Sequence, residues 1–372
     1  MEKLRIAVIG AGRLGGFHAQ KIAARDDLEL AAVVDPVPGN RNQVAAACHT
    51  TPLADYRELL GRIDAAVIAA PTQRHHELAL DLLRAGVHLL VEKPICSTTG
   101  QADELVEAAR QNKVVLQVGH VERFNPAFNL AAWHTADPKY IESVRAGAFT
   151  FRSTDVGVVL DLMIHDIDLV LSLVRCRVRR VEALGLSVLG GHEDVANARI
   201  EFESGCVATL SASRVSYEPA RRMQIWSAKA YAGIDFAARA TTLVRPSETL
   251  LERRFDVPSL SAAQVEYYKE HLSAEHLPKD RQEFAAVDML AMQLLDFADS
   301  IRKQRPPRVT GEAGRDALAV AEEILAQIHA HAWDASRDGR IGPLGVPKPR
   351  VAASTHSDGL PEQTPVRRRE AG

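Results

Sequence analysis

Apolar and polar residues keep two different rhythms along this chain, and the change falls near Phe124. Before it, short apolar runs rich in β-branched residues alternate with longer stretches whose apolar positions recur at helical spacing. That alternation predicts strands at about 4–9, 29–35, 64–70, 87–92 and 114–118, with amphipathic helices between them such as Arg74 to Ala85 and Gln101 to Gln111. Strands joined through crossover helices run parallel, so residues 1–121 are expected to form a doubly wound α/β unit.

After Phe124, strands follow one another with few helices between them. Ala196 to Glu203 and Val207 to Arg214 flank Ser204-Gly205, which reads as a two-residue connection suited to a tight hairpin. Residues 122–337 are therefore expected to form an α+β domain with a large, mostly antiparallel sheet. Helices follow at about 285–303 and 311–333, the second opening at Thr310 as N-cap with Glu312 in its first turn. Residues 338–372 are rich in Pro, Gly, Ser and charge without apolar periodicity. They predict a mobile tail, in which Arg367-Arg368-Arg369 is a solvated charge run.

Composition narrows the function. A chain of 372 residues exceeds one ordinary core, which agrees with two domains. A net charge of -3 argues against nucleic acid as a partner. Cys48, Cys96, Cys176 and Cys206 are scattered without metal-ligand spacing, so reduced thiols and no bound metal are expected. Met1 leads directly into the strand-like Leu4 to Ile9, and no apolar run reaches the span of about 18 residues that a membrane helix requires. A cytoplasmic protein is expected, with no membrane partner.

The first predicted strand runs into Gly10-Ala11-Gly12-Arg13-Leu14-Gly15, a GxGxxG sequence at a strand-to-helix junction. Gly10 permits the tight turn, Gly12 lets the backbone approach a pyrophosphate, and Gly15 allows close helix packing. The helix N-terminus supplies free N–H groups to the anion. The next strand ends at Asp35, at the spacing of a carboxylate that receives the adenosine ribose hydroxyls. A carboxylate there repels a 2'-phosphate, so NAD is the expected cofactor. Arg41 keeps NADP as the alternative.

Two further segments carry chemistry. Glu92-Lys93-Pro94 closes the strand Val87 to Val91, and carboxyl ends of parallel strands line the ligand crevice, which puts Lys93 toward the nicotinamide. The Lys-Pro bond is open to the cis form. Leu160 to Leu171 reads as one helix in which Asp161, His165 and Asp168 form a polar stripe on an otherwise almost wholly apolar segment. Polar groups so placed need partners, either a structural His–Asp pair or a reacting substrate. His120 and His134 receive no role. His75 and His76, adjacent at a helix start, diverge too far to chelate metal.

With these segments in order, the chain resembles the Gfo/Idh/MocA family of oxidoreductases over about residues 1–335, through the glycine motif, Asp35, Pro71-Thr72-Gln73-Arg74-His75, Glu92-Lys93-Pro94 and Asp161-x-x-x-His165. The resemblance implies a Rossmann domain followed by a mixed domain whose sheet covers the active site and joins subunits into a homo-oligomer, a dimer or tetramer. It places the catalytic positions at Lys93, Asp161 and His165. The cofactor side falls to Gly10, Gly12, Arg13, Leu14, Gly15, Asp35, Pro71, Thr72, His75, Glu92 and Lys93. His165 suits the hydroxyl proton, Lys93 suits negative charge growing on that oxygen, and Asp161 orients His165 or relays its proton.

Gly119-His120-Val121-Glu122-Arg123-Phe124-Asn125-Pro126, with Asp155 to Asp168, is similar to a narrower branch, the UDP-N-acetylglucosamine 3-dehydrogenases. That likeness implies NAD-dependent oxidation of a sugar 3-hydroxyl to a ketone, which an aminotransferase converts to an amine for lipid A. Arg123 and Asn125 are expected in the crevice with Lys93, Asp161 and His165 as substrate contacts, and Arg145 and Arg152 as weaker diphosphate candidates. The alternative for Arg123 is a local pair with Glu122 or a helix cap. Two other functions stay open: a polyol or free-sugar dehydrogenase of the inositol type, and a non-catalytic dinucleotide-binding regulator.

Overall fold

A computed structural model describes residues 3–151, 156–333 and 340–345. Its first unit is a six-stranded parallel sheet built from β1 (Leu4–Ile9), β2 (Leu28–Val34), β3 (Thr51–Leu53), β4 (Ala65–Ile68), β5 (His88–Val91) and β6 (Leu116–Val118) in the order β3-β2-β1-β4-β5-β6. Crossovers run through α1 (Arg13–Ala23), α2 (Pro38–Cys48), α3 (Thr72–Arg84) and α4 (Thr99–Asn112). The central strands are apolar on both faces, as buried parallel strands must be, and Ala65 to Ile68 is wholly buried. The predicted strands are present, and the three-residue β3, interrupted by Pro52, is an addition to them.

The second unit begins with α5 (Pro126–His134), β7 (Pro138–Ala146) and α6 (Ile164–Val174), followed by β8 (Val178–Leu186), β9 (Val195–Phe202), β10 (Val207–Ser213), β11 (Ala220–Ser227), β12 (Tyr231–Asp235) and β13 (Ala240–Val244). After α7 (Glu248–Leu251) and α8 (Ala262–His276), β14 (Lys279–Glu283) closes an eight-stranded sheet of order β14-β13-β12-β11-β7-β10-β9-β8. Its pairs are antiparallel except β7 with β10. Strict alternation of burial in β9 and β10 gives this sheet one apolar face. Ile200, Leu210 and Ile225 pack there against Ile167 and Val170 of α6, and α10 (Gly311–Ala330) adds Ala321 and Ile324.

Three expectations need correction. The β9–β10 hairpin turns through Glu203-Ser204-Gly205, because the Phe202 N–H bonds the Cys206 carbonyl at 2.9 Å and Gly205 takes φ +80°. The helix α9 (Met289–Lys303) was expected in the second domain by sequence position, yet Leu294, Phe297 and Ala298 join Ile6, Val8 and Val67 in the core of the first sheet. Thr310 does cap α10, accepting the Ala313 N–H at 3.3 Å. Within the expected tail, residues 340–345 dock on the body: Trp333 Nε1–H donates to the Gly342 carbonyl at 2.8 Å and the Ser187 N–H to Pro343 at 2.9 Å. Arg367 to Arg369 lie outside the described residues. Among the described residues no helix is long and apolar enough to cross a membrane.

Candidate active site

At the end of β1 the chain turns at Gly10 with φ +97°, where a Cβ would lie 2.6 Å from the backbone of Ala69 and Ala70. A Cβ on Gly15 would lie 1.8 Å from the Gly10 carbonyl oxygen, whereas one on Gly12 meets nothing within 4 Å. Gly10 and Gly15 thus bring the turn, α1 and the β4 end together, and Gly12 leaves an open approach. That approach is a cleft of about 720 Å³, lined by Gly10, Gly12, Asp35, Pro71 and Arg74 among others. Asp35 is buried in its wall, its carboxylate accepting the Ala11 and Val37 N–H groups at 2.8 Å each. Free first-turn N–H groups of α1 beside a carboxylate at the β2 end fit a dinucleotide.

Other cofactor-side residues take different places. Arg13 and Leu14 are exposed on the first turn of α1, with the Arg13 guanidinium 5.6 Å from the Phe17 ring centre, and Thr72 opens α3. His75 is buried and faces backbone instead of the cleft: Nδ1 lies 2.9 Å from the Pro94 carbonyl and Nε2 2.8 Å from that of Ala70. Burial pushes its pKa below the usual imidazole value. Arg41 is pinned to the carbonyls of Asp35 and Pro36 at 3.2 and 3.0 Å.

β5 delivers Lys93 to the cleft edge. Ile9, Ile68 and Val91 are register partners across β1, β4 and β5, so Glu92 and Lys93 emerge at the same sheet edge as the glycine turn. The Lys93-Pro94 bond is cis. Glu92 is buried, sharing a 2.6 Å hydrogen bond with His18 of α1. A Cβ at Gly119 would stand 2.4 Å from Glu92 Oε2, so the end of β6 needs glycine to admit that carboxylate.

The opposing wall is the segment read as a single helix. It begins instead with a π-turn, Val159–Met163, before α6. One residue more per turn re-aims side chains, and such turns recur at functional sites. Glu193, buried on the β8–β9 connection, accepts the Val159 N–H through Oε1 at 3.1 Å, and its own carbonyl accepts the Val158 N–H at 3.0 Å. This seats Asp161. Lys93 Nζ donates to the Asp161 main-chain carbonyl at 2.7 Å and to its Oδ1 at 3.2 Å.

Lys93, Asp161 and His165 line one cavity of about 450 Å³. His165 is held well below the usual imidazole pKa by burial and then by the nearby Lys93 ammonium, so the neutral base dominates at neutral pH. Its Nδ1 is sealed without a hydrogen-bond partner, and no hydrogen bond joins it to Asp161, whose carboxylate serves Lys93. His120, also buried with both ring nitrogens unpartnered, stands edge-on to His165 with ring centres 6.3 Å apart.

The expected polar contacts divide differently. Arg123 turns from this cavity to Asp168, Nε to Oδ2 at 3.0 Å, and lines a separate hollow with Trp133 and Arg308. Asn125 is spent on structure, capping α5 through the Ala127 N–H at 3.0 Å and donating to Glu122 at 3.1 Å. Arg145 reaches the cavity wall but is already neutralised by Asp166 at 2.9 and 3.1 Å and by Glu122 at 3.1 Å. Arg152 lies outside the described residues. Glu193, Glu122 and Asp166 were not singled out in sequence, because each acts through a partner more than twenty positions away. No local signal marks such pairs.

Comparison with known proteins agrees with this two-unit fold. The model of the oxidoreductase family with NAD-binding Rossmann fold matches residues 4–120, and that of the GFO/IDH/MocA C-terminal domain matches residues 118–232. UDP-N-acetylglucosamine 3-dehydrogenase of Acidithiobacillus ferrooxidans is 36% identical over 336 residues, covering 89% of this chain and 99% of that protein. A crystal structure of the enzyme from that organism, GnnA, superposes with a TM-score of 0.76 at 35% identity, covering 88% of this chain and 98% of its own. The scyllo-inositol 2-dehydrogenase (NAD(+)) of Bacillus subtilis is 29% identical over 234 residues, covering 58% of this chain and 68% of that protein. The chain belongs to the Gfo/Idh/MocA family of NAD(P)-binding oxidoreductases.

Proposed function

We propose that this protein is an NAD-dependent dehydrogenase that oxidises the 3-hydroxyl of UDP-N-acetylglucosamine to a ketone. The convergence of Lys93, Asp161 and His165 on one cavity, at the sheet edge that carries the glycine turn, carries the reading. The choice of sugar rests on likeness to the Acidithiobacillus ferrooxidans enzyme over nearly its whole length.

Neutral His165 takes the hydroxyl proton. Lys93, a fixed donor, stabilises the charge that develops on the oxygen, and Asp161 holds its ammonium in place. Gly10, Gly12 and Asp35 would hold a nicotinamide dinucleotide, which would supply the hydride acceptor. The Asp35 carboxylate favours a free ribose hydroxyl and hence NAD over NADP. The 3-ketone is the form an aminotransferase consumes, consistent with a cytoplasmic step toward lipid A. The half-buried stack of Tyr140, Trp226 and Tyr231 on the second sheet supports a homo-oligomer through that face, which light scattering would test by mass.

The test is NADH formation from NAD with UDP-N-acetylglucosamine, myo-inositol or free sugars, using a coupled aminotransferase to remove ketone. Turnover confined to the nucleotide sugar supports the reading. Turnover with a free polyol moves the enzyme to the inositol type, and silence with every substrate rejects both.

A further inference from the structure

Among the described residues, charge accounting in the cavity leaves one cation over. Lys93 is held by Asp161, Arg145 by Glu122 and Asp166, and Arg214 by Asp194 at 2.6 Å. Arg221, exposed on β11, lines the same cavity, and among the described residues no carboxylate pairs with it. Its charge is felt at His165, which puts it within electrostatic reach of the reacting end. Arg221 and Ala146 also border a second hollow of about 350 Å³ that contains Glu218 and Asp235. Arg222, cross-strand from Asp235, lines the second hollow without reaching the first.

A guanidinium without a carboxylate partner among the described residues, at the junction of two hollows, suits a ligand with an anionic middle. Arginine presents paired N–H donors that match phosphate oxygens. We propose that Arg221 binds the pyrophosphate of the nucleotide sugar, with the sugar lying toward Lys93 and His165 and the nucleoside in the second hollow. There the carboxylates of Glu218 and Asp235 accept hydrogen bonds from ribose hydroxyls. The inference rests on the nucleotide-sugar reading and deepens it.

The probe is UDP, titrated by calorimetry into the full-length protein with NADH present, alongside R221A, R221Q and R222A. Wild-type binding is expected, weakened at least tenfold in R221A and R221Q, with less effect in R222A and unchanged NADH affinity in all three. Failure of the wild type to bind UDP, equal affinity in R221A, or equal loss in R221A and R222A overturns the site. UDP binding that depends on Arg221, without oxidation of UDP-N-acetylglucosamine, retains the pyrophosphate site and rejects the reaction instead.

Discussion

Lys93 binds Asp161 twice, through the main-chain carbonyl and through the carboxylate, so one ammonium ties the end of a parallel strand to the π-turn of the other unit. The bond fixes the lysine in the cavity it shares with His165. It also means that Asp161 serves the lysine directly and the histidine only through shared geometry. Replacing Lys93 by Met keeps the length of the side chain and removes its charge. The expected result is a fall in kcat of about 10²–10³-fold with NAD affinity retained in a fluorescence titration. Near-normal turnover would remove Lys93 from the chemistry.

The pH profile follows from His165. Burial and the Lys93 charge lower its pKa, and the proposed role as base needs the neutral ring, so activity is expected above that lowered value and lost as pH falls through it. The acid limb of kcat/KM is therefore expected below the ordinary imidazole value of about 6.5. A limb at or above that value, unaltered by His165→Ala in the residual rate, would assign the titration to another group.

Asp35 holds the Ala11 and Val37 N–H groups and lines the cleft of the glycine turn, so Asp35→Ala removes two hydrogen-bond acceptances together with the proposed ribose contact. At about 1 kcal/mol per hydrogen bond, NAD affinity is expected to fall by about tenfold or more. On the proposed NAD preference, NADP should lose less, because its 2'-phosphate meets the carboxylate. Equal losses in parallel titrations would mean that Asp35 shapes the turn without discriminating the cofactors.

How much of this was legible depended on range in sequence. The glycine turn, Asp35 and the Lys93 strand end lie in contiguous motifs whose chemistry is local, and they stand where their spacing put them. The Asp161-x-x-x-His165 spacing also brought two side chains to one cavity, although a period of 3.6 cannot disclose a π-turn. Arg123 and Asn125 misled because polarity shows only that a side chain needs a partner. Asp168 and the α5 N-terminus supply those partners; the Arg123–Asp168 pair has no sequence signature, whereas Asn125-Pro126 carries the N-cap pattern that opens α5. For α9 the apolar stripe was visible, but a stripe does not say which sheet it will cover.

The buried trio of Arg145, Asp166 and Glu122 sits directly behind the cavity. Asp166→Ala leaves the Arg145 guanidinium in a dry site with one of its two carboxylates gone. A destabilisation of about 3–5 kcal/mol is expected, read as a lower urea midpoint. A midpoint matching the wild type would show that Glu122 alone, or admitted water, compensates the charge.

Gly157 gives the sharpest test of how the π-turn is set. A Cβ there would fall 2.0 Å from Glu193 Oε1 and 2.1 Å from its Cδ, closer than any real contact, so Gly157→Ala must displace the carboxylate or the turn. Glu193 then releases the Val159 N–H, while the Gly157 carbonyl that accepts the Asp161 N–H at 3.1 Å moves with its own residue. Either motion carries Asp161 away from Lys93. A misplacement near 1 Å costs about 10²-fold in rate, so kcat should fall on that order while NAD affinity, set on the other wall, stays constant. Glu193→Gln keeps an acceptor oxygen for Val159 and should retain most activity, whereas Glu193→Ala should resemble Gly157→Ala. Full turnover in Gly157→Ala would show that the turn holds its shape without Glu193 and that Asp161 is positioned by Lys93 alone.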